Sequence, residues 1–143
     1  MMLSTETSRR LDELAITGNR LVDRKDYRAA ISAWQQGVDL LPEPKRDWEA
    51  YTWLYASIGD SCFQQRRLLD AKDAFENALN GPGGPVNPFI QYRIGQILVR
   101  LGDEKKGVDH LLRAYMLDGE DIFVSDDEGS EFLGLLKRKG LVK

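Results

Sequence analysis

Between Ser8 and Arg24 apolar residues fall at Leu11, Leu14, Ala15, Leu21 and Val22. That spacing is helical, unlike the alternation of a half-buried strand. After a turn at Lys25–Asp26, one face of a second helix, from Tyr27 to Leu41, is marked by Ala30, Ile31, Trp34, Val38 and Leu41. Pro42 and Pro44 end it, because proline lacks the N–H and its ring clashes with the preceding turn. Two such helices joined by about two residues make a helical hairpin. Residues 1–6 read as a frayed polar lead-in.

The pattern continues in the same style. A helix is expected from near Asp47, read as its N-cap, to about Gln65, with Trp48, Tyr51, Leu54 and Tyr55 in helical phase. Its partner runs from Leu68 to Leu79 after a turn at Arg66–Arg67. Asn80 to Pro88 holds three glycines and three prolines and can only be a link. Pro88 suits a first helical turn capped by Asn87, and that helix reaches about Leu101. Gly102–Asp103 turns the chain into a helix from Glu104 to Leu117. Ser125 followed three residues later by Glu128 reads as a capping box opening a final helix to about Lys139. Lys137, Arg138 and Lys139 suit the negative end of its dipole.

Overlaying the three hairpins shows that they are copies. Leu14, Thr17, Gly18 and Leu21, then Ala30, Trp34 and Gly37, form the first set. Tyr55, Ile58, Gly59 and Cys62, then Ala71, Phe75 and Ala78, form the second. Gln91, Ile94, Gly95 and Leu98, then Gly107, Leu111 and Ala114, form the third. In each the first-helix glycine precedes a small residue by 12 positions, a bulky residue follows 4 later, and a small one 3 after that. A mid-helix glycine costs about 1 kcal/mol relative to alanine, so three at matching positions imply close helix approach. The expectation is that Ala30, Ala71 and Gly107 face that approach, while Trp34, Phe75 and Leu111 fill the space between successive hairpins. Constant internal spacing of this kind defines a repeat protein.

The spacing resembles the tetratricopeptide repeat, W-x2-L-G-x2-Y, then A-x3-F, then P. The first copy matches at Leu14, Gly18, Leu21, Ala30, Trp34 and Pro42, and the second at Tyr55, Ile58, Gly59, Ala71 and Phe75; Gln91 and Gly107 depart from type in the third. Glycine-to-glycine intervals of 41 and 36 residues exceed the usual period of about 34, so the link after Pro42 or the helix before Tyr55 is lengthened. The resemblance implies an all-α fold: three hairpins (about 8–42, 47–82 and 87–119) stacked as a short right-handed solenoid in one domain. An acidic segment and capping helix (120–143) close the stack, laying Phe132, Leu133, Leu135 and Leu136 on the last repeat.

The resemblance also implies a protein-binding function, with first helices lining a groove. The family's groove spacing falls on Asp12, Ala15, Asn19 and Asp23, on Trp53, Ala56, Ser57, Asp60 and Phe63, and on Phe89, Tyr92, Arg93, Gln96 and Arg100. Large aromatics on a face that is not core anchor interfaces, and Trp48 and Tyr51 would widen that face. The family's carboxylate-clamp positions are Ala15, Asn19, Ser57, Phe89 and Arg93 here. Without cations at Ala15 and Phe89 a carboxylate would lack most of its charge-assisted donors, which argues against that kind of co-chaperone. The segment Leu112–Phe123, followed by an acidic stretch and a short helix, is similar to small bacterial tetratricopeptide proteins of polymorphic toxin systems. That similarity implies an immunity protein that binds and neutralises a cognate toxin domain; the alternative is an adaptor or secretion chaperone holding an extended client segment.

Composition sharpens these expectations. The chain has 143 residues, 42% hydrophobic and 30% charged, with net charge −3. The absence of a basic excess argues against nucleic acid as the partner. No apolar run reaches the roughly 18–20 residues of a membrane span. The N-terminus has no signal-like apolar core, and a single cysteine, Cys62, fits a reducing cytoplasm. Asp118, Glu120, Asp121, Asp126, Asp127, Glu128 and Glu131 form an acidic tract without Lys or Arg, of which Asp121, Asp126 and Asp127 are taken as partner contacts. Catalysis, cofactors and metals find no supporting motif. His110 is the one histidine and reads as a surface or boundary residue, Cys62 sits at a packing position, and the GPGGP run lacks the lysine and strand of a phosphate loop. A monomer or weak dimer is expected.

Overall fold

The structure is a computed structural model that describes residues 2–143. Among these residues all regular structure is helical. The helices are α1 (Thr5–Asp23), α2 (Tyr27–Leu40), α3 (Glu49–Gln64), α4 (Leu68–Leu79), α5 (Pro88–Arg100), α6 (Glu104–Asp118), α7 (Asp121–Val124) and α8 (Gly129–Arg138), with a 3-10 turn over Lys45–Asp47. The chain divides within the glycine–proline loop into two compact units, one ending at Gly84 and one beginning at Pro85.

The first unit holds two hairpins, α1/α2 and α3/α4, with α2 also packed on α3. The repeat glycines explain the hairpin contacts, with one change from the expected arrangement. A Cβ at Gly18 would lie 2.2 Å from the Trp34 indole, and one at Gly59 would lie 2.7 Å from the Phe75 ring. The bulky residue of the second helix therefore sits on the glycine of its own hairpin, rather than serving only as filler between hairpins. Ala30 and Ala71 are fully buried beside it. Gly37 passes Leu11 and Leu54, so the step from the first hairpin to the second is made of small against branched residues.

Helix starts and stops follow local chemistry. Lys25 and Arg66 take positive φ at the two hairpin turns. The Asp26 carboxylate caps α2 by accepting from Ala29 N–H. The expected frayed lead-in is not observed over the described residues: α1 begins at Thr5, because Ser4 Oγ accepts from Thr7 N–H at 3.1 Å. Asp47 is not the cap of α3. It lies in the 3-10 turn, and Trp48 occupies the N-cap position without a side-chain bond. The extra residues of this link work on α2 instead. Lys45 Nζ donates to the carbonyls of Val38, Asp39 and Leu41 at 3.2, 3.3 and 2.7 Å, satisfying the end of α2 that prolines leave open. Trp48 Nε1 donates to the Pro42 carbonyl at 2.9 Å.

The second unit is the α5/α6 hairpin closed by α7 and α8. A Cβ at Gly95 would lie 2.7 Å from Leu111 and 2.9 Å from the Gly107 carbonyl, the third instance of the same contact. Asn87 caps α5 through Ile90 N–H, and Asp103 caps α6 through Lys106 N–H. The capping helix lies where the sequence puts it: Phe132 and Leu136 join Tyr92, Val108, Leu111, Ala114 and Phe123 in one core, with Leu133 and Leu135 packed against it. The way it starts differs. Ser125 is not its N-cap; Ser125 ends α7 and its Oγ donates to the Ile122 carbonyl. Glu128 does not return to the Ser125 N–H, which already donates to the Asp121 carbonyl, and reaches Arg100 instead.

Candidate protein-binding site

In the first unit, the side chains around the start of α1 and the start of α3 enclose an open cleft of about 640 Å³. Leu11 and Ala50, 3% and 8% exposed, form its floor. Met2, Leu3, Ser8 and Asp12 line one side, and Asp47, Trp48, Glu49 and Trp53 the other. Trp53 is 37% exposed, a large share for an aromatic residue and one that no core role requires. The helical repeat positions it: Leu54, one residue on, points into the core at 0% exposure, so Trp53 must face out. Trp48 is half-buried and its indole is fixed by the Pro42 bond.

The remaining groove positions of this unit divide. Asn19 and Asp23 are exposed on α1, and Ala15, Ala56, Ser57 and Asp60 are half-buried. Phe63 is only 4% exposed, so it is core and not an open aromatic contact, and the Arg66 guanidinium stands 5.2 Å from its ring centre. Tyr51 is half-buried and meets Tyr55 edge-on at 4.7 Å, away from the cleft lining.

In the second unit, the groove positions of α5 already have an occupant, the chain's own C-terminal segment. The Asp126 carboxylate accepts from Tyr92 Oη at 2.7 Å, from Arg93 Nη1 at 3.1 Å and from Gln96 Nε2 at 3.1 Å. Arg93 Nη1 also donates to Gln96 Oε1 at 2.7 Å, and its guanidinium lies over the half-buried Phe89 ring at 5.1 Å. Arg100 donates to Glu128 and to both oxygens of Glu131, with its guanidinium 4.8 Å from the Phe132 ring centre. Tyr92 is 1% exposed and Gln96 0%, so the expected open stripe of Phe89, Tyr92 and Gln96 is closed.

Electrostatics follow from this pairing. Burial alone would raise the Asp126 carboxyl; the Tyr92 hydroxyl and Arg93 overcome it and hold the group below the usual aspartate range. Burial, reinforced by the bond to Asp126, pushes the Tyr92 phenol up. The bonds to Glu131 and Glu128 hold Arg100 more firmly protonated, and Glu131 is correspondingly lowered by Arg100. Of the acidic tract, Asp126, Glu128 and Glu131 are thus spent inside the unit, and Glu120 lies 3.6 Å from Lys137. Asp118, Asp121 and Asp127 are exposed, as are the paired Glu120 and Glu131.

Sequence reasoning missed the role of Asp126 as a hub, the part of Met2, Leu3 and Asp47 in the cleft, and a pair in the second unit. Gln91 donates through Nε2 to the Pro85 carbonyl at 2.9 Å, which turns Oε1 toward His110 Nδ1 at 2.7 Å. A carboxamide oxygen only accepts, so Nδ1 carries the proton. Gln91, which departs from the repeat pattern, thereby ties the loop to the hairpin. Cys62 is buried, and its thiol is pushed up by that burial. Among the described residues no group of His, Cys, Asp and Glu could hold a metal ion, and no helix is long and apolar enough to cross a membrane.

Helical hairpins that pack a bulky second-helix residue on a first-helix glycine, with a capping helix after the last copy, define a tetratricopeptide-like helical-repeat fold. No protein-family model and no curated protein matches the chain. Among solved structures, the crystal structure of MamA, a tetratricopeptide-like helical-repeat protein, is similar, with a TM-score of 0.70 and 19% sequence identity. The match covers 92% of this chain and 69% of that one.

Proposed function

We propose that the protein is a non-catalytic protein-binding module that meets its partner on the cleft side of the first unit. The observation that carries this is the exposed Trp53 standing with Trp48 over a cleft of about 640 Å³. Tryptophans in such positions are the residues that dominate interface energies when a partner desolvates them. Asn19, Asp23 and Asp60, outside the cleft lining, are further candidate contacts on the first helices of the two hairpins. Tyr92, Arg93, Gln96 and Arg100 are engaged within their own unit and contribute by holding its shape, whereas Asp121 and Asp127 remain available to a partner.

In its finer form, the partner is a cognate bacterial toxin domain and the protein its immunity protein. The support is the similarity of Leu112–Phe123 to small proteins of toxin systems, together with an acidic, aromatic-lined cleft that would cover a basic surface. The test is co-expression with the product of the adjacent gene. The expected results are a one-to-one complex and loss of that product's toxicity, both weakened by Trp53→Ala. A product that is harmless alone, or one still toxic in the presence of this chain, would overturn the immunity reading. Reversible binding of an extended client without inhibition would favour an adaptor or chaperone.

A further inference from the structure

The cleft in the first unit also constrains what kind of segment fits it. Its apolar surface comes from Met2, Leu3, Trp48 and Trp53 over the buried Leu11. Its charges are Asp12, Asp47 and Glu49, all exposed, and its lining holds no Lys, Arg or His. Most cations near it in sequence are engaged elsewhere; Arg46, beside Asp47, is exposed. Arg9 is held by Glu6 and Glu13, Arg10 by Glu13, and Lys45 by the carbonyls at the end of α2. The charges of the lining itself are therefore all negative, whereas the floor is apolar.

We infer that this cleft takes a short partner segment with a bulky apolar side chain flanked by Lys or Arg. The inference rests on the interaction-module reading above and narrows it to a partner chemistry. A volume of about 640 Å³ accommodates a few side chains, in the range of specific pockets. The apolar anchor would desolvate Trp53 and Trp48. Basic side chains suit the rest, since their aliphatic stems lie along apolar walls while their charged ends reach rim carboxylates. An acidic segment would meet three carboxylates with no cation in the lining, which disfavours it through like-charge repulsion.

The test uses the full chain, immobilised, against a phage-displayed library of random peptides. Selected peptides are then resynthesised and their binding followed by tryptophan fluorescence. The expected result is enrichment of sequences with an aromatic or branched apolar residue next to Lys or Arg. Trp53→Ala should weaken these peptides about thirtyfold, as for an interface hot spot. The combined Asp12→Asn, Asp47→Asn and Glu49→Gln variant should weaken them about tenfold at low salt and flatten their salt dependence. Trp53→Phe, with circular dichroism of every variant, separates lost contact from lost fold. Enrichment of acidic or uncharged peptides that still depend on Trp53 would overturn the basic-segment chemistry and leave the interaction-module reading standing. No enrichment, or peptides indifferent to both variants, would overturn the cleft as the site.

Discussion

Replacing Asp126 with alanine removes one carboxylate and disturbs three donors at once. Tyr92, Arg93 and Gln96 all donate to it, at 2.7, 3.1 and 3.1 Å. Their side chains are buried, so the loss cannot be made good simply by turning outward. A buried polar group left without its partner costs about 1–3 kcal/mol, and breaking a buried ion pair about 3–5 kcal/mol. Two features reduce the total. Arg93 keeps Gln96 Oε1 and the Phe89 ring, and Asp126 itself is 20% exposed, so water reaches the vacated place. The expected loss is about 3 kcal/mol, measured by urea unfolding followed by circular dichroism. Asp126→Asn, which keeps the shape and one acceptor, should lose about half as much. A double-mutant cycle with Tyr92→Phe should give a coupling of about 1 kcal/mol. The pH dependence has a definite sign. Because the folded carboxyl is held below the ordinary value of 3.8, its stabilisation is complete above that value and is lost as pH falls through the lower folded one. The difference between the parent protein and Asp126→Ala should therefore be constant near neutrality and shrink only in acid below that point. A loss under about 0.5 kcal/mol, the scatter of ordinary surface substitutions, or strictly additive effects with Tyr92→Phe, would refute the hub.

Gly18→Ala should destabilise the first unit by about 1–3 kcal/mol despite alanine's better helix propensity, because the new methyl would overlap the Trp34 indole. Thermal unfolding checks this, and pairing the change with Trp34→Leu should recover part of the loss. Lys45→Met should cost about 1–2 kcal/mol by removing the donor that satisfies three carbonyls at the end of α2. Hydrogen exchange should then rise first in the last turn of that helix. Cys62, buried and with its thiol pushed up, should resist a thiol reagent at neutral pH until denaturant unfolds its helix. Rapid labelling of the native protein would contradict its placement.

The helices and the repeat were legible in the sequence because both depend on local regularities. Helical spacing, proline stops, the Asn87 cap and the 12-4-3 interval from each glycine specify hairpins whatever the rest of the chain does. The start of α1 also carries a local sign, Ser4 ahead of the acidic Glu6. The cleft was half legible: Trp53 and Asp12 follow from helix phase, but Met2, Leu3 and Asp47 lie outside regular helix and have no phase to read. Asp126 was not legible as a hub. Its local sequence, Ser125-Asp126-Asp127-Glu128, is as good a capping box as any, and only the approach of α5, some thirty residues upstream, supplies Tyr92, Arg93 and Gln96 to compete for the carboxylate. By itself the sequence determined which segments are helical and which faces must be buried, since a helix and its apolar stripe are set by neighbours three and four residues apart. Which charged groups stay free for a partner was decided only by tertiary structure, since charge pairing is settled by distance in space and not along the chain.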